Sequence, residues 1–236
     1  RDYLLTPDDW EDIAFRSSMR QEYNVSVSGA TDRSTFYASF GYLNNEGITE
    51  NSNMERYTAR LKADYQAKKW LKVGANAGYA NFTYNSLSAA GHGNSSANLF
   101  AFTSSVAPIY PLYVRDGQGN IMKNDAGITM YDYGDGMNAG LTRPLLPNAN
   151  GLADSRLNTD RSEGNAFNGT GFFDILFLKD FKFTFNVGVS LDETRRTTVQ
   201  NPYFGQFADE NGIIGKYHTR DFSHNLQPVS YTHLTL

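Results

Sequence analysis

Hydrophobic and polar residues alternate with a period of two along much of this chain. In residues 181–192 the odd positions are Phe181, Phe183, Phe185, Val187, Val189 and Leu191, and the even positions are Lys182, Thr184, Asn186, Gly188, Ser190 and Asp192. Successive side chains of a strand point to opposite faces, so this stretch predicts a two-faced strand of about 12 residues. The same split sets Tyr57, Ala59, Leu61, Ala63 and Tyr65 against Thr58, Arg60, Lys62, Asp64 and Gln66. Weaker versions start at Tyr23, Phe36, Leu71 and Phe167, the last placing Asp174 on the polar side. About six strands are predicted, with Leu61, Ala63, Phe183, Phe185 and Val187 on one face and Arg60, Lys62, Asp64, Asp174 and Lys182 on the other.

The connections discriminate between architectures. Residues 30–33, 67–69 and 178–180 are hairpin-length turns, whereas residues 44–53, 85–163 and 199–216 are long. Short and long alternate strictly, as they do in a transmembrane barrel with tight turns at one rim and long loops at the other. A soluble β-sandwich shares the two-faced strands, but nothing forces its long loops to one end. The predicted strands also exceed the usual soluble length of about five or six residues. Trp70 at one short turn, with Tyr65 and Phe181 nearby, suits an interfacial aromatic girdle; packing in a soluble core is the alternative.

Composition narrows the function classes. The 21 Lys and Arg are scattered and outnumbered by 25 Asp and Glu, for a net charge of -4, which argues against a nucleic-acid partner. With no cysteine there is no disulfide, thiolate metal site or thiol nucleophile. There is no run of about 18 apolar residues and so no transmembrane helix, but barrel strands are short and alternate, so mean hydropathy does not test for them. The chain starts at Arg1, and residues 228–236 resemble a translated sequencing adapter. The expectation is a piece of a longer protein with a non-native tail after residue 227, set aside from fold reasoning.

Several motifs together resemble one family. Asp9-Trp10-Glu11-Asp12 is followed by Gln21-Glu22-Tyr23-Asn24-Val25-Ser26-Val27-Ser28-Gly29, then by Phe36-Tyr37-Ala38-Ser39-Phe40-Gly41-Tyr42-Leu43-Asn44-Asn45-Glu46-Gly47-Ile48. Glu55-Arg56-Tyr57-Thr58-Ala59-Arg60-Leu61 and Lys69-Trp70-Leu71-Lys72-Val73-Gly74-Ala75-Asn76 complete the series. In order and spacing these resemble the early barrel of SusC/RagA-type TonB-dependent outer-membrane transporters, densely over residues 8–82 and more loosely over 164–198. The resemblance implies an all-β fold, an antiparallel transmembrane β-barrel segment belonging to a barrel of about 22 strands around a plug. It divides the chain into a barrel-entry segment (1–19), four strands (20–84), a long extracellular loop (85–163), two strands with a loop and the start of another (164–227), and the tail (228–236). It implies a bacterial outer-membrane location, contact with outer-membrane lipid and a SusD-like surface lipoprotein as partner. It also implies energy from TonB, ExbB and ExbD acting through a plug region that has no counterpart here, and oligosaccharide or peptide substrates. A passive porin and a soluble carbohydrate-binding β-sandwich are the competing readings.

No catalytic, cofactor or metal constellation emerges, so an enzyme is not expected. Asp132, Asp135 and Gly136 fail the spacing of a calcium loop and read as turn chemistry, as does the run from Asp116 to Asn120. His92, His218 and His224 are too far apart or unsupported for a metal site. Residues 98–106 predict a short helix ending before Pro108 and Pro111. Tyr110, Tyr113, Tyr131 and Tyr133, within the long loop, are candidates for stacking on sugar rings or meeting a partner; packing within the loop is the alternative.

Overall fold

The computed structural model describes residues 8–87, 99–138, 140–177, 181–205 and 207–232. Seven strands form one antiparallel sheet in strict chain order: β1 (Arg20–Ala30), β2 (Ser34–Glu46), β3 (Asn53–Lys68), β4 (Leu71–Ser86), β5 (Thr159–Phe177), β6 (Phe181–Gln200) and β7 (Ile213–Thr232). Three short helices accompany them: α1 (Trp10–Ala14) before β1, and α2 (Leu99–Ser105) and α3 (Gly151–Leu157) between β4 and β5.

Register shows that the alternation is coherent across the sheet. The row through Leu61 joins Val27, Ala38, Ala77, Gly169, Val189 and His224, and the row through Ala63 joins Phe36, Ala75, Gly171, Val187 and Leu226. The alternate rows carry Arg60 beside Ser39 and Asn168, and Asp174 beside Lys72 and Thr184. Because directly paired residues share a face, the residues assigned to opposite sides in the sequence do lie on opposite sides.

Three features differ from the sequence reading. The strand start expected before residue 227 is a full strand, β7, which pairs along its whole length with β6 and takes in residues 228–232, with Thr232 opposite Phe181. Its apolar row, Phe222, Leu226 and Pro228, is interrupted by His224, which hides the period. The strands also run further toward the long connections: β4 reaches Ser86, β5 starts at Thr159 and β6 ends at Gln200. The added residues 159–163 of β5 and 193–198 of β6 are charged or hydroxylated rather than apolar, so hydropathy does not reveal them. Third, the connection between β4 and β5 is a folded unit. The short turn at 178–180, His92, Asn98 and residues 233–236 lie outside the described residues.

That folded unit holds the compact core. Leu99, Phe102, Val106, Leu112, Ala149 and Leu152 pack with Trp10 and Ala14 of α1. Asp9 caps α1 by accepting from the backbone N–H of Glu11 and Asp12, both at 3.1 Å. The Trp10 indole then donates to the Tyr110 carbonyl at 3.1 Å and meets the Phe102 ring edge-on at 5.4 Å. Residues 106–150 thus cap one end of the sheet, with the segment before β1 built into them.

Candidate functional site

Both faces of the sheet and the cap over its end are candidate surfaces. The apolar face is uncovered: Val25, Phe40, Leu61, Phe222 and Leu226 are all more than half exposed. Such an area is far larger than a water-soluble surface tolerates. On β6 it runs from Phe181 to Leu191, about 33 Å along the strand at ~3.3 Å per residue, or roughly 25 Å high at a barrel's strand tilt. Aromatic rings fill it, with Phe173 stacked on Phe185 at 5.2 Å and Phe177 on Phe181 at 5.5 Å.

Its border on the cap side is sharp and made of tyrosines. The phenols of Tyr42 and Tyr57 both donate to Glu55 Oε1, at 3.2 and 2.7 Å, and the Tyr79 phenol donates to Asn165 Oδ1 at 2.6 Å. Each ring lies on the apolar band and each hydroxyl reaches a polar row beyond it, the arrangement expected where hydrocarbon meets water. Trp70, Tyr65 and Phe181 stand toward the opposite, short-turn rim.

The other face is polar. The Lys182 ammonium pairs with Asp174 at 2.9 Å, Thr184 donates to Asp174 at 2.8 Å, and Lys72 sits 5.7 Å above the Phe172 ring. Gly74 makes this possible, because a Cβ there would collide with the Phe172 ring and the Asp64 carboxylate. A groove of about 370 Å³ on this face is lined by Thr170, Phe172, Asn186, Gly188, Asn225 and Gln227. Nearer the cap, Arg196 donates to both oxygens of Asp160, at 2.7 and 2.6 Å.

The cap is tied to the loops on either side of it. Arg156 of α3 makes a two-pronged contact with Glu50, at 2.7 and 3.1 Å, and Asn51, held at φ 56°, donates to the Ser155 carbonyl at 2.8 Å. From the β6–β7 connection, the Asn201 backbone N–H and side-chain amide both donate to Asn158 Oδ1 at 2.8 Å. All three long connections therefore gather at one end of the sheet.

Three of the four candidate tyrosines converge on α3. Tyr113 and Tyr131 pack at 5.3 Å, and Arg156 also donates to the Tyr113 hydroxyl at 3.1 Å. Tyr133, only 5% exposed, stacks on Phe204 and donates to Asp154 at 3.1 Å; burial raises its phenol well above the usual range. Tyr110 is half-buried and lies with Trp10 instead. The carboxylates weighed for calcium are turn acceptors: Asp132 takes the Gly134 N–H at 2.6 Å, Asp135 that of Met137 at 2.9 Å, and Asp116 those of Gln118 and Asn120. Burial pushes the Asp132 carboxyl up.

No family model matches the chain. It is 27% identical over 225 residues to the TonB-dependent receptor SusC of Bacteroides thetaiotaomicron, covering 89% of this chain and 21% of that protein. It is also 27% identical over 166 residues to a TonB-dependent receptor of Formosa agariphila, covering 70% of this chain and 14% of that one. In sequence the chain is similar to TonB-dependent receptors, SusC among them. The fold agrees: the RagAB peptide importer in its closed-closed state superposes with a TM-score of 0.69 at 23% identity, over 98% of this chain and 24% of that one. The chain thus spans about a fifth of the length of the SusC relative.

The residues missed by sequence reasoning are those that anchor the cap, Glu50, Asn51, Arg156, Asn158 and Asn201, and the charged ends of β5 and β7. The anchors and the start of β5 fall in segments read as loop, whereas β7 lies largely where the start of another strand is expected. The signal for the second was present as an alternation of charge, Arg161 and Glu163, in which hydropathy does not change.

Proposed function

We propose that this chain forms part of the wall of an outer-membrane barrel that imports a nutrient under TonB control, its apolar face against lipid and its polar face toward the lumen. The observation that carries this is the apolar band, which crosses the seven strands with His224 as a break on β7 and is edged over β2 to β4 by tyrosine hydroxyls. A barrel of about 22 strands around a plug is the matching architecture. The long connections then lie outside the cell, where the cap faces a SusD-like surface lipoprotein, and TonB, ExbB and ExbD act from the periplasm through the plug. TonB-dependent receptors are the named relatives, which makes transport rather than catalysis the activity.

For substrate we propose oligosaccharide. The polar face presents amides and hydroxyls, including Asn76, Asn168, Thr170, Asn186 and Asn225, which exchange readily with the hydroxyls of a neutral sugar. Tyr110, Tyr113 and Tyr131 offer partly exposed rings on the cap for sugar or lipoprotein, while Tyr133 is buried against Phe204. A peptide is the competing substrate, because the RagAB relative is a peptide importer.

The test is uptake by cells carrying the full-length receptor, offered labelled oligosaccharide or peptide before and after collapse of the proton gradient. Oligosaccharide uptake that stops on collapse supports the proposal, and uptake of peptide alone reassigns the substrate. Uptake that continues unchanged makes the protein a passive porin.

A further inference from the structure

Beyond its tyrosine border, the outward face of β5, β6 and β7 carries a cluster of positive charge. Three rows stack there: Asn165, Glu193 and Arg220; then Glu163, Arg195 and His218; then Arg161, Thr197 and Lys216. Immediately below them lies the apolar row of Phe167, Leu191 and Phe222. Two strand spacings by two row spacings make this patch roughly 10 by 14 Å.

The charges do not cancel. Four permanent cations, Arg161, Arg195, Lys216 and Arg220, face two carboxylates, Glu163 and Glu193, leaving an excess of two before His218 is counted. The carboxylates are engaged: Glu163 with Arg161 at 2.5 Å, and Glu193 with His218 at 3.0 Å and Arg195 at 3.8 Å. Lys216 and Arg220 are exposed, and Arg161 and Arg195 keep at least half of their side-chain surface open. On the same face over β2 and β3 the sign reverses, with Glu46 and Glu55 and no cation in those rows. The acidic turn residues Asp209 and Glu210 lie beyond the far end of β7, between it and β6.

We propose that this patch is a docking site for the phosphomonoester headgroup of an anionic lipid in the leaflet on the cap side. The inference rests on the reading of the apolar face as the lipid face. The occupant follows from position: a ligand held here has its charged group at the arginines and its tail directly over Phe167, Leu191 and Phe222. A free anion has no use for that apolar floor. Arginines present planar forks to phosphate oxygens, and a cation beside the membrane surface strengthens lipid attraction at a level screened by salt.

The experiment uses the full-length receptor in detergent, with native mass spectrometry reading bound lipid against added phosphatidic acid, phosphatidylcholine and inorganic phosphate. Replacing Arg161, Arg195, Lys216 and Arg220 together by Gln should weaken phosphatidic acid binding about tenfold or more and leave phosphatidylcholine unchanged. Lys at the three arginine positions should restore most of it. Heat-modifiable migration on gels, measured in parallel, reports whether each variant forms a barrel. If the parent shows no such migration, the membrane reading fails; if variant and parent both do and bind phosphatidic acid equally, the headgroup site fails alone. Competition by equimolar inorganic phosphate would reassign the patch to a free anion.

Discussion

Phe185 stands near the middle of the apolar band on β6, stacked on Phe173, while its neighbour Thr184 points to the polar face and hydrogen-bonds Asp174. A single residue step therefore separates the apolar face from the polar one, which the proposed function reads as hydrocarbon and lumen. In the full-length receptor, Phe185→Arg should destabilise the barrel by about 2–4 kcal/mol, because the cation meets lipid at midplane, whereas Thr184→Arg should cost much less. Urea titrations of the two variants in vesicles measure both. A small loss for Phe185→Arg beside a large one for Thr184→Arg would reverse the faces. These assignments were legible in the sequence because Phe and Val alternate with Thr and Asn without a break. The tyrosine roles were not: nothing local to Tyr133 distinguishes a ring packed on Phe204 from one open to a ligand.

Among elements, the strands were readable and the cap was not, for a physical reason. A strand declares itself through a period of two, whereas the cap is built from turns whose stability comes from side-chain-to-backbone bonds such as those of Asp116, Asn124 and Asp132. Its α2 was predicted from residues 98–106, but its attachment to the β2–β3 loop spans 106 residues of sequence and leaves no local signature. That attachment is testable by pH. The Arg156 hydrogen bonds hold the Glu50 carboxyl below its ordinary value of 4.5, so the stabilisation is fully present above that value and is lost as pH falls through the lower folded-state value. The partly exposed pair contributes about 1 kcal/mol. Amide hydrogen exchange in α3, corrected for intrinsic rates, should be faster in Glu50→Gln than in the parent at pH 7, and the two should converge only as the medium falls well below pH 4.5, through the folded-state value. Equal protection at pH 7 would remove Glu50 from cap docking.

At the scale of the molecule, the sheet explains itself only as part of a larger closure. Among the described residues, β1 and β7 each pair on one side, and the strands between them expose a broad apolar face with no second layer over it. In hydrocarbon every backbone polar group needs a partner, which a closed barrel supplies and an open sheet does not. The chain's share of the SusC length accommodates the remaining strands. These 236 residues hold no cysteine, so single cysteines placed through residues 181–192 can carry a nitroxide label once any cysteine elsewhere in the receptor is replaced. The most direct measurement is collisional accessibility of that label in the membrane-inserted, full-length receptor, with oxygen as the probe of lipid and a water-soluble nickel chelate as the probe of the lumen. The account predicts oxygen maxima at the odd positions from Phe181 to Leu191 and chelate maxima at the even positions from Lys182 to Asp192. Maxima in phase with each other, or oxygen maxima at the even positions, would contradict it.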